Sequence, residues 1–258
     1  MNFTILGSGS AGNCAYLETD QARILIDAGF SGRQTQQRLG ALGREMKDLT
    51  GILLTHEHSD HTLGLKVLAA KYHLPVFCNR LTFEAVQSQC PIPLEVRLFG
   101  TGDTFDLADL TIETFPIPHD AYDPVGFLIH TPLGNLGFVT DLGHATKLVI
   151  ERVRNAQVLV LESNHDLKLL QDDLRRPWSV KQRILSRHGH LSNEAAAAAL
   201  EQIASDGLRQ LYLGHLSRDC NRPEIVHRVI SLCLEKLGAR QIQFEIASQY
   251  AACPTLNF

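Results

Sequence analysis

With 258 residues the chain can bury a large core, yet it is short for two full domains. Apolar residues supply 44% and charged residues 20%, the balance of a globular protein. The formal charge of −4 excludes a global positive field that would advertise a nucleic-acid partner, although a local basic face stays compatible with that total.

The opening, MNFTILGSGS, lacks a basic leader ahead of an apolar core, and no apolar run approaches bilayer length, so neither a secretion signal nor membrane contact is expected. Six cysteines (14, 78, 90, 220, 233 and 253) have no CxxC pair and no metal-knuckle spacing, and read as reduced thiols of a cytoplasmic protein. Twelve histidines stand out instead, and histidine is the commonest metal ligand.

Strand-like runs begin with FTIL, CAYLE and RILID, and the turn TDQ between the last two reads as an antiparallel hairpin. GILLT, PVFC, LTIETF, VGFLIH, LGFVT, VLVLE, QLYLG and IQFEIA follow. Helical periodicity falls between them at residues 33–42, 62–72, 82–89, 145–153, 193–204 and 222–237. Ser192 ahead of Glu194 and the alanines of 195–199 marks the clearest helix start, a hydroxyl cap leading into the best helix former. The first half, to about Thr140, is strand-rich; the second alternates helix and strand, with no linker between them. That order predicts the α/β class and a single domain, residues 1–258, built of two packed halves.

GSGSAG, Gly7 to Gly12, fits GxGxxG after a strand, with Asp27 twenty residues beyond Gly7. A dinucleotide site needs a helix to open directly after the glycines. Here two further strands follow, so the glycines read as a tight turn near a pocket.

The chemistry concentrates in GILLTHEHSDH, where a buried-looking strand ends in HxHxDH: His56, His58, Asp60 and His61. Two histidines two apart in a loop can project toward one point, and the next acid and histidine toward a second. A solvated polar loop is the other reading of the same residues.

The pattern resembles the metallo-β-lactamase superfamily, whose further ligands would stand at later strand ends. His119 after LTIETF, Asp141 after LGFV and His215 after LYLG occur in the expected order, and Asp27 occupies a position that usually buttresses the site. The resemblance implies an αββα four-layer sandwich with a dinuclear centre along one edge. His56, His58 and His119 would hold one divalent ion, and Asp60, His61 and His215 the other, with Asp141 bridging. A mixed nitrogen and oxygen shell suits zinc or manganese. Two such ions would acidify a bridging water and polarise a phosphoryl group, and would offset the crowding of charge. Asp60 counts among the catalytic residues as well as the ligands. Cys220, five residues after His215, reads as a buried or neutral thiol.

LGSGSAGNC, LVLESNHD and RRPWSVKQRILSRHGHLSNEAAAA look like the YycJ (WalJ)-like group, associated with 5′-to-3′ exonuclease action on DNA, and more distantly like ribonuclease Z. The resemblance makes Glu162 the partner that orients His190, and His190 the proton donor to the departing sugar oxygen. A purely structural hydrogen bond between them is the alternative. Residues 174–190 hold Arg175, Arg176, Lys181, Arg183 and Arg187 around Trp178 without an acid, so Arg175, Arg176, Trp178 and Lys181 are candidate phosphate and stacking contacts. A solvated basic helix with Trp178 as a core anchor is the other reading. His144 and His165 could face the pocket; His73, His130, His188 and His227 read as surface or packed residues.

The expected function is metal-dependent phosphodiester hydrolysis, with DNA favoured over RNA. Hydrolysis of a small cyclic phosphodiester or a thioester at the same centre is the alternative. A non-catalytic binding module is the third reading, and a complete ligand set argues against it.

Overall fold

The computed structural model describes residues 1–89, 91 and 93–257. Its first half runs β1 (Asn2–Gly7), β2 (Cys14–Glu18), β3 (Arg23–Ile26), α1 (Gly32–Ala41), β4 (Gly51–Leu53), α2 (Ser59–Thr62), α3 (Leu65–Tyr72), β5 (Val76–Asn79), α4 (Arg80–Gln89) and β6 (Val96–Phe99). Then come β7 (Thr104–Leu107), β8 (Leu110–Pro116), β9 (Val125–Thr131), β10 (Gly134–Val139), α5 (Lys147–Val153) and β11 (Val158–Glu162). The chain closes with α6 (Leu167–Asp172), α7 (Trp178–Leu185), α8 (Asn193–Ile203), β12 (Gln210–Gly214), α9 (Pro223–Leu237), β13 (Gln243–Ile246) and β14 (Leu256–Asn257).

Among the described residues two sheets of seven strands form, in the orders β14-β1-β2-β3-β4-β5-β6 and β13-β12-β11-β10-β9-β8-β7. Alternation within single strands sets the layers, because side chains two apart share a face. Ile24 and Ile26 of β3 meet Val158 and Val160 of β11 in one core between the sheets. Leu25 turns the other way, onto Leu39 of α1 and Leu68 of α3. Leu159 and Leu161 turn outward onto Val149 of α5, Leu200 of α8 and Ile230 of α9. Helices therefore cover the outer faces of both sheets, which gives the αββα sandwich. It also explains why runs such as VLVLE carry no polar alternation.

The hairpin β2–β3 is antiparallel, as TDQ suggests, and β2 rather than a helix follows the glycines. The helix expected over 62–72 is split at Gly64, where an added Cβ would lie 2.3 Å from the Phe30 carbonyl oxygen. Ser192 caps α8, its Oγ accepting from the Ala195 amide at 3.1 Å. Strands β6, β7 and β14 and helices α6 and α7 lie outside the expected set. Both β6 and β14 are short strands with exposed residues, and β7 and β14 close sheet edges.

Among the described residues no helix is long and apolar enough to cross a membrane. Cys14, Cys78, Cys220, Cys233 and Cys253 are free and buried; Cys90 lies outside the described residues. What matters for function is direction. β3 runs parallel to β4, and β10, β11 and β12 run parallel to one another, so their C-terminal ends open at shared edges where ligand sites form.

Candidate metal centre and active site

The side chains of the site stand at or just beyond strand ends. Asp27 follows β3, Thr55 and His56 follow β4, and His119 follows β8 by three residues. Asp141 follows β10 by two, Glu162 ends β11 and His215 follows β12. Asp27, Asp141 and His215 sit at φ of 60°, 55° and 56°, the left-handed region that residues with a Cβ rarely adopt. Such a conformation costs about 1–3 kcal/mol per residue and persists where surrounding contacts enforce it. Three of the five non-glycine positive-φ residues among the described residues are at this one place, because the strand must turn sharply to aim its last side chain into the cleft.

His56, His58 and His119 bring donor atoms within 4.8 Å of one another, and so do Asp60, His61 and His215. Asp141 stands between the sets: its Oδ2 is 3.2 Å from His61 Nε2, and its Oδ1 is 3.4 Å from His215 Nε2 and 3.7 Å from His119 Nε2. Ligands about 2.0–2.2 Å from a shared tetrahedral ion stand roughly 3.3–3.6 Å apart, so these spacings suit metal coordination. The sequence-derived sets of three and three with a shared aspartate are thus brought together as sets.

The far side of each ring identifies which nitrogen is free. Nδ1 of His56 faces Thr55 Oγ1 at 2.9 Å, Nδ1 of His61 faces Asp27 Oδ2 at 2.8 Å, Nδ1 of His119 faces the Gly189 carbonyl at 3.2 Å, and Nδ1 of His215 faces Glu162 Oε1 at 2.9 Å. An Nδ1–H donated to each acceptor leaves the Nε2 lone pair pointing inward, the arrangement by which outer partners orient metal-binding histidines. His58 is reversed, its Nδ1 being 3.3 Å from His119 Nε2. His56 Nε2 and Asp141 Oδ2 are buried without a hydrogen-bond partner among the described residues, which is costly unless a cation satisfies them.

Charge makes the same demand. Burial disfavours protonated His61, but Asp27, Asp141 and Asp60 hold its pKa well above the ordinary value. His215 is likewise raised against burial by Asp141, Asp60 and Glu162. Asp141 is wholly buried, which favours its neutral form, yet His215 and His61 keep it well below the usual carboxylate range. The cluster calls for positive charge at its centre, and this donor set fits divalent ions.

Glu162 is a second organiser. Its Oε1 receives His190 Nδ1 at 2.7 Å and His215 Nδ1, while Oε2 accepts the Leu142 and Leu191 amides at 3.0 and 2.9 Å. Burial would raise its pKa, but His190 and His215 outweigh it and hold the carboxyl at about 2. His190 itself is raised by Glu162 against the opposing effect of burial. Its ring lies 5.1 Å from that of His215 and lines the pocket.

That pocket, about 240 Å³, is lined by His58, Asp60, His119, Asp141, His190 and His215 together with Asn164, Ser217, Arg176 and Arg183. Four supporting residues escape sequence reasoning: Ser8, Asn13, Thr55 and Asn164. Asn13 Nδ2 donates to Asp60 Oδ2 at 3.2 Å, and its Oδ1 accepts from Ser8 Oγ, which in turn accepts the His215 amide at 2.7 Å. The glycine turn thus reaches the metal centre through Ser8 and Asn13. Asn164 holds the His215 carbonyl at 2.7 Å. Thr55 alone carried a signal, as a hydroxyl immediately ahead of His56.

The basic segment departs from expectation. Arg175 and Arg176 pair with Asp173 and Asp219, so acids from outside the run neutralise it. The Lys181 ammonium donates to the Gln171 carbonyl at 2.7 Å, and Lys181 is buried away from the pocket. Trp178 is 61% exposed, which removes it as a core anchor, and the α7 residues that line the pocket are Val180, Arg183 and Ile184. By helical spacing these lie on the side opposite Trp178. Only Arg176 of the four expected contacts lines the cavity. His144 precedes α5 and engages Arg187, at 3.0 Å from its carbonyl and 2.8 Å from its guanidinium. His165 is buried outside the pocket, and desolvation pulls its pKa down to about 4. Cys220 is a buried thiol whose pKa burial raises, as read from the sequence.

Comparison with known proteins places these features in a family. Exodeoxyribonuclease YycJ of Bacillus anthracis is 40% identical over 240 residues, 92% of this chain and 90% of that protein. Exodeoxyribonuclease WalJ of Streptococcus pneumoniae serotype 2 is 37% identical over 229 residues, 87% and 85% of the two chains. The crystal structure of the metallo-β-lactamase fold protein YhfI from Bacillus subtilis covers 98% of both chains with a TM-score of 0.74 at 15% identity, a likeness of fold. The beta-lactamase superfamily domain matches residues 22–216, and the chain belongs to that superfamily.

Proposed function

We propose that the chain is a metal-dependent phosphodiesterase that degrades DNA from the 5′ end, using two divalent ions, zinc or manganese. One observation carries the reading: Asp141 joins two donor clusters on the wall of a pocket into which His190, held by Glu162, also opens. The two exodeoxyribonucleases matched over most of their length favour DNA over a small cyclic diester or a thioester. The whole chain acts as one domain, since strand ends of both sheets feed one site, and the buried free thiols suit the cytoplasm.

His56, His58 and His119 would hold one ion, Asp60, His61 and His215 the other, and Asp141 would serve both. Bound there, the ions supply Lewis-acid polarisation of phosphoryl oxygens and an acidified water. The protein groups do the rest. Asp60 remains partly open to the pocket, with its side chain 21% exposed, and orients the water that adds to phosphorus. As the P–O3′ bond breaks, His190 donates its Nε2 proton to the departing oxygen, and Glu162 stabilises the imidazolium before transfer. Arg176 and Arg183 line the cavity near the flanking phosphates, with Arg183 3.2 Å from Asp120.

The test offers zinc- or manganese-loaded protein duplex DNA labelled at either end, RNA, and bis(p-nitrophenyl) phosphate. Mononucleotide released first from the 5′-labelled DNA, abolished by chelator, is the expected result. Rapid hydrolysis of the small ester with intact DNA would overturn it.

A further inference from the structure

At about 240 Å³ the catalytic pocket is smaller than the roughly 300–1,000 Å³ typical of sites that enclose a small ligand, so a polymeric substrate must extend beyond it. A second cavity of about 390 Å³ adjoins it, with Ser217 lining both. Its apolar lining comes from Leu216, Pro223 and Ile246, and Arg218 and Tyr250 flank it. We propose that this groove binds the single-stranded DNA next to the scissile phosphodiester, with a nucleobase stacked on Tyr250 and a phosphate on Arg218. The proposal rests on the nuclease reading above and names the substrate track of that same site.

Charge and anchoring both support this occupant. The cations of the 174–190 segment that touch the catalytic pocket, Arg176 and Arg183, are committed to Asp173, Asp219 and Asp120. The Arg218 side chain is exposed, and no protein acceptor engages it among the described residues. It stands three residues beyond His215. Tyr250 is 74% exposed, a ring open to solvent on a wall that is otherwise fixed. Ser248 accepts the Ser8 amide at 3.0 Å and the Tyr250 amide at 3.1 Å. The Gln249 side chain bonds the Ala11 amide at 2.8 Å and the Gly12 carbonyl at 2.9 Å. Ser8 also holds the His215 amide, so the aromatic wall and the metal centre share one support. An exposed aromatic on an anchored backbone, beside a free guanidinium and apolar lining, is the combination that binds single strands without reading their sequence.

Wild type, Tyr250→Ala, Tyr250→Trp and Arg218→Ala are compared on a single-stranded oligodeoxynucleotide about ten residues long, an RNA of the same sequence, and bis(p-nitrophenyl) phosphate, which is too short to extend from the catalytic pocket along the groove. For Tyr250→Ala and Arg218→Ala, kcat/KM on DNA should fall about tenfold more than on the small ester, through KM, with Tyr250→Trp close to wild type. Arg218→Ala should also flatten the slope of log affinity against log salt by about 0.7. Equal losses on both substrates, no loss on DNA, or a loss confined to RNA would overturn the groove assignment while wild-type DNA cleavage still upheld the nuclease reading. Wild type that hydrolyses the ester but not DNA would remove the nuclease reading and this inference with it.

Discussion

Asp27 Oδ2 stands 2.8 Å from His61 Nδ1, and both side chains are fully buried. The same carboxylate takes the Thr55 amide at 2.9 Å and the Thr55 hydroxyl at 3.0 Å, and that hydroxyl is 2.9 Å from His56 Nδ1. One aspartate at a strained strand end therefore orients a histidine in each donor cluster, directly in one and through Thr55 in the other.

Replacing Asp27 by asparagine keeps the shape but removes the charge that fixes the His61 tautomer. Outer partners of metal-binding histidines are worth about 10–100-fold in affinity, so Asp27→Asn should lose metal to a competing chelator at correspondingly lower concentration. Thr55→Val should weaken binding at the His56 cluster more than at the His61 cluster. Chelator titrations identical to wild type for both variants would dissociate the buttress from the metal sites.

His190 lines the pocket without being needed as a ligand, so His190→Ala should retain metal while kcat falls about 10²–10⁴-fold, the usual worth of a positioned acid. Glu162 raises the His190 pKa against burial, so the imidazolium persists to higher pH than that of an ordinary histidine and is lost as pH rises through that raised value. Activity should therefore decline on the alkaline side, and His190→Ala should lack that limb. Glu162→Gln should move it to lower pH. A kcat profile of His190→Ala that keeps the wild-type alkaline limb would assign the proton to another group.

Asp27, Asp60, Asp141 and Glu162 crowd one cleft, so metal stabilises the fold as well as the reaction. A ligand present at a thousandfold its Kd adds about 4 kcal/mol, which for a chain of this size is roughly 10 °C in Tm. Chelation should lower Tm by that order, measured by calorimetry. In the metal-free protein the Glu162 carboxyl, held at about 2 against an ordinary 4.5, contributes stability that is present above pH 4.5 and is lost as pH falls toward 2. Glu162→Gln should flatten that part of the acid-denaturation curve. A Tm indifferent to chelator would contradict a cluster that needs cations.

The clustered donor residues were legible because their signals are local. HxHxDH packs four donors into six positions, and His119, Asp141 and His215 each stand within three residues of an apolar run that reads as a buried strand. The supports were not, because their partners are remote: Ser8 meets His215 across 207 positions and Asn13 meets Asp60 across 47. The basic segment misled for the same reason. Asp173 lies just before it and Asp219 far beyond, so a window of like charge gave no view of what neutralises it. The α/β class followed from strand and helix order and the four layers from the family resemblance, whereas β6 and β14, short and partly exposed, have too little burial to leave a pattern.

Gly29 is the tightest backbone junction at the site. Its amide donates to the Asn13 carbonyl at 2.9 Å, and the Asn13 amide donates to the Asp60 carbonyl at 2.8 Å, so three loops meet there main chain to main chain. An added Cβ would lie 1.7 Å from the Asp60 carbonyl oxygen and 2.5 Å from the Asn13 amide nitrogen, neither of which can rotate aside. Overpacking of this kind costs about 1–3 kcal/mol and relaxes by moving backbone, here the segment that aims Asp60 and His61. Gly29→Ala should therefore lower Tm and lose the ion of the Asp60, His61 and His215 cluster before that of the His56 cluster, read as metal stoichiometry under increasing chelator. Gly40→Ala is the contrast: within α1 an added Cβ meets nothing within 4 Å, and removing the glycine there should stabilise by about 0.4–1 kcal/mol. Were Gly29→Ala to bind both ions like wild type, the three-loop junction could not be what positions Asp60.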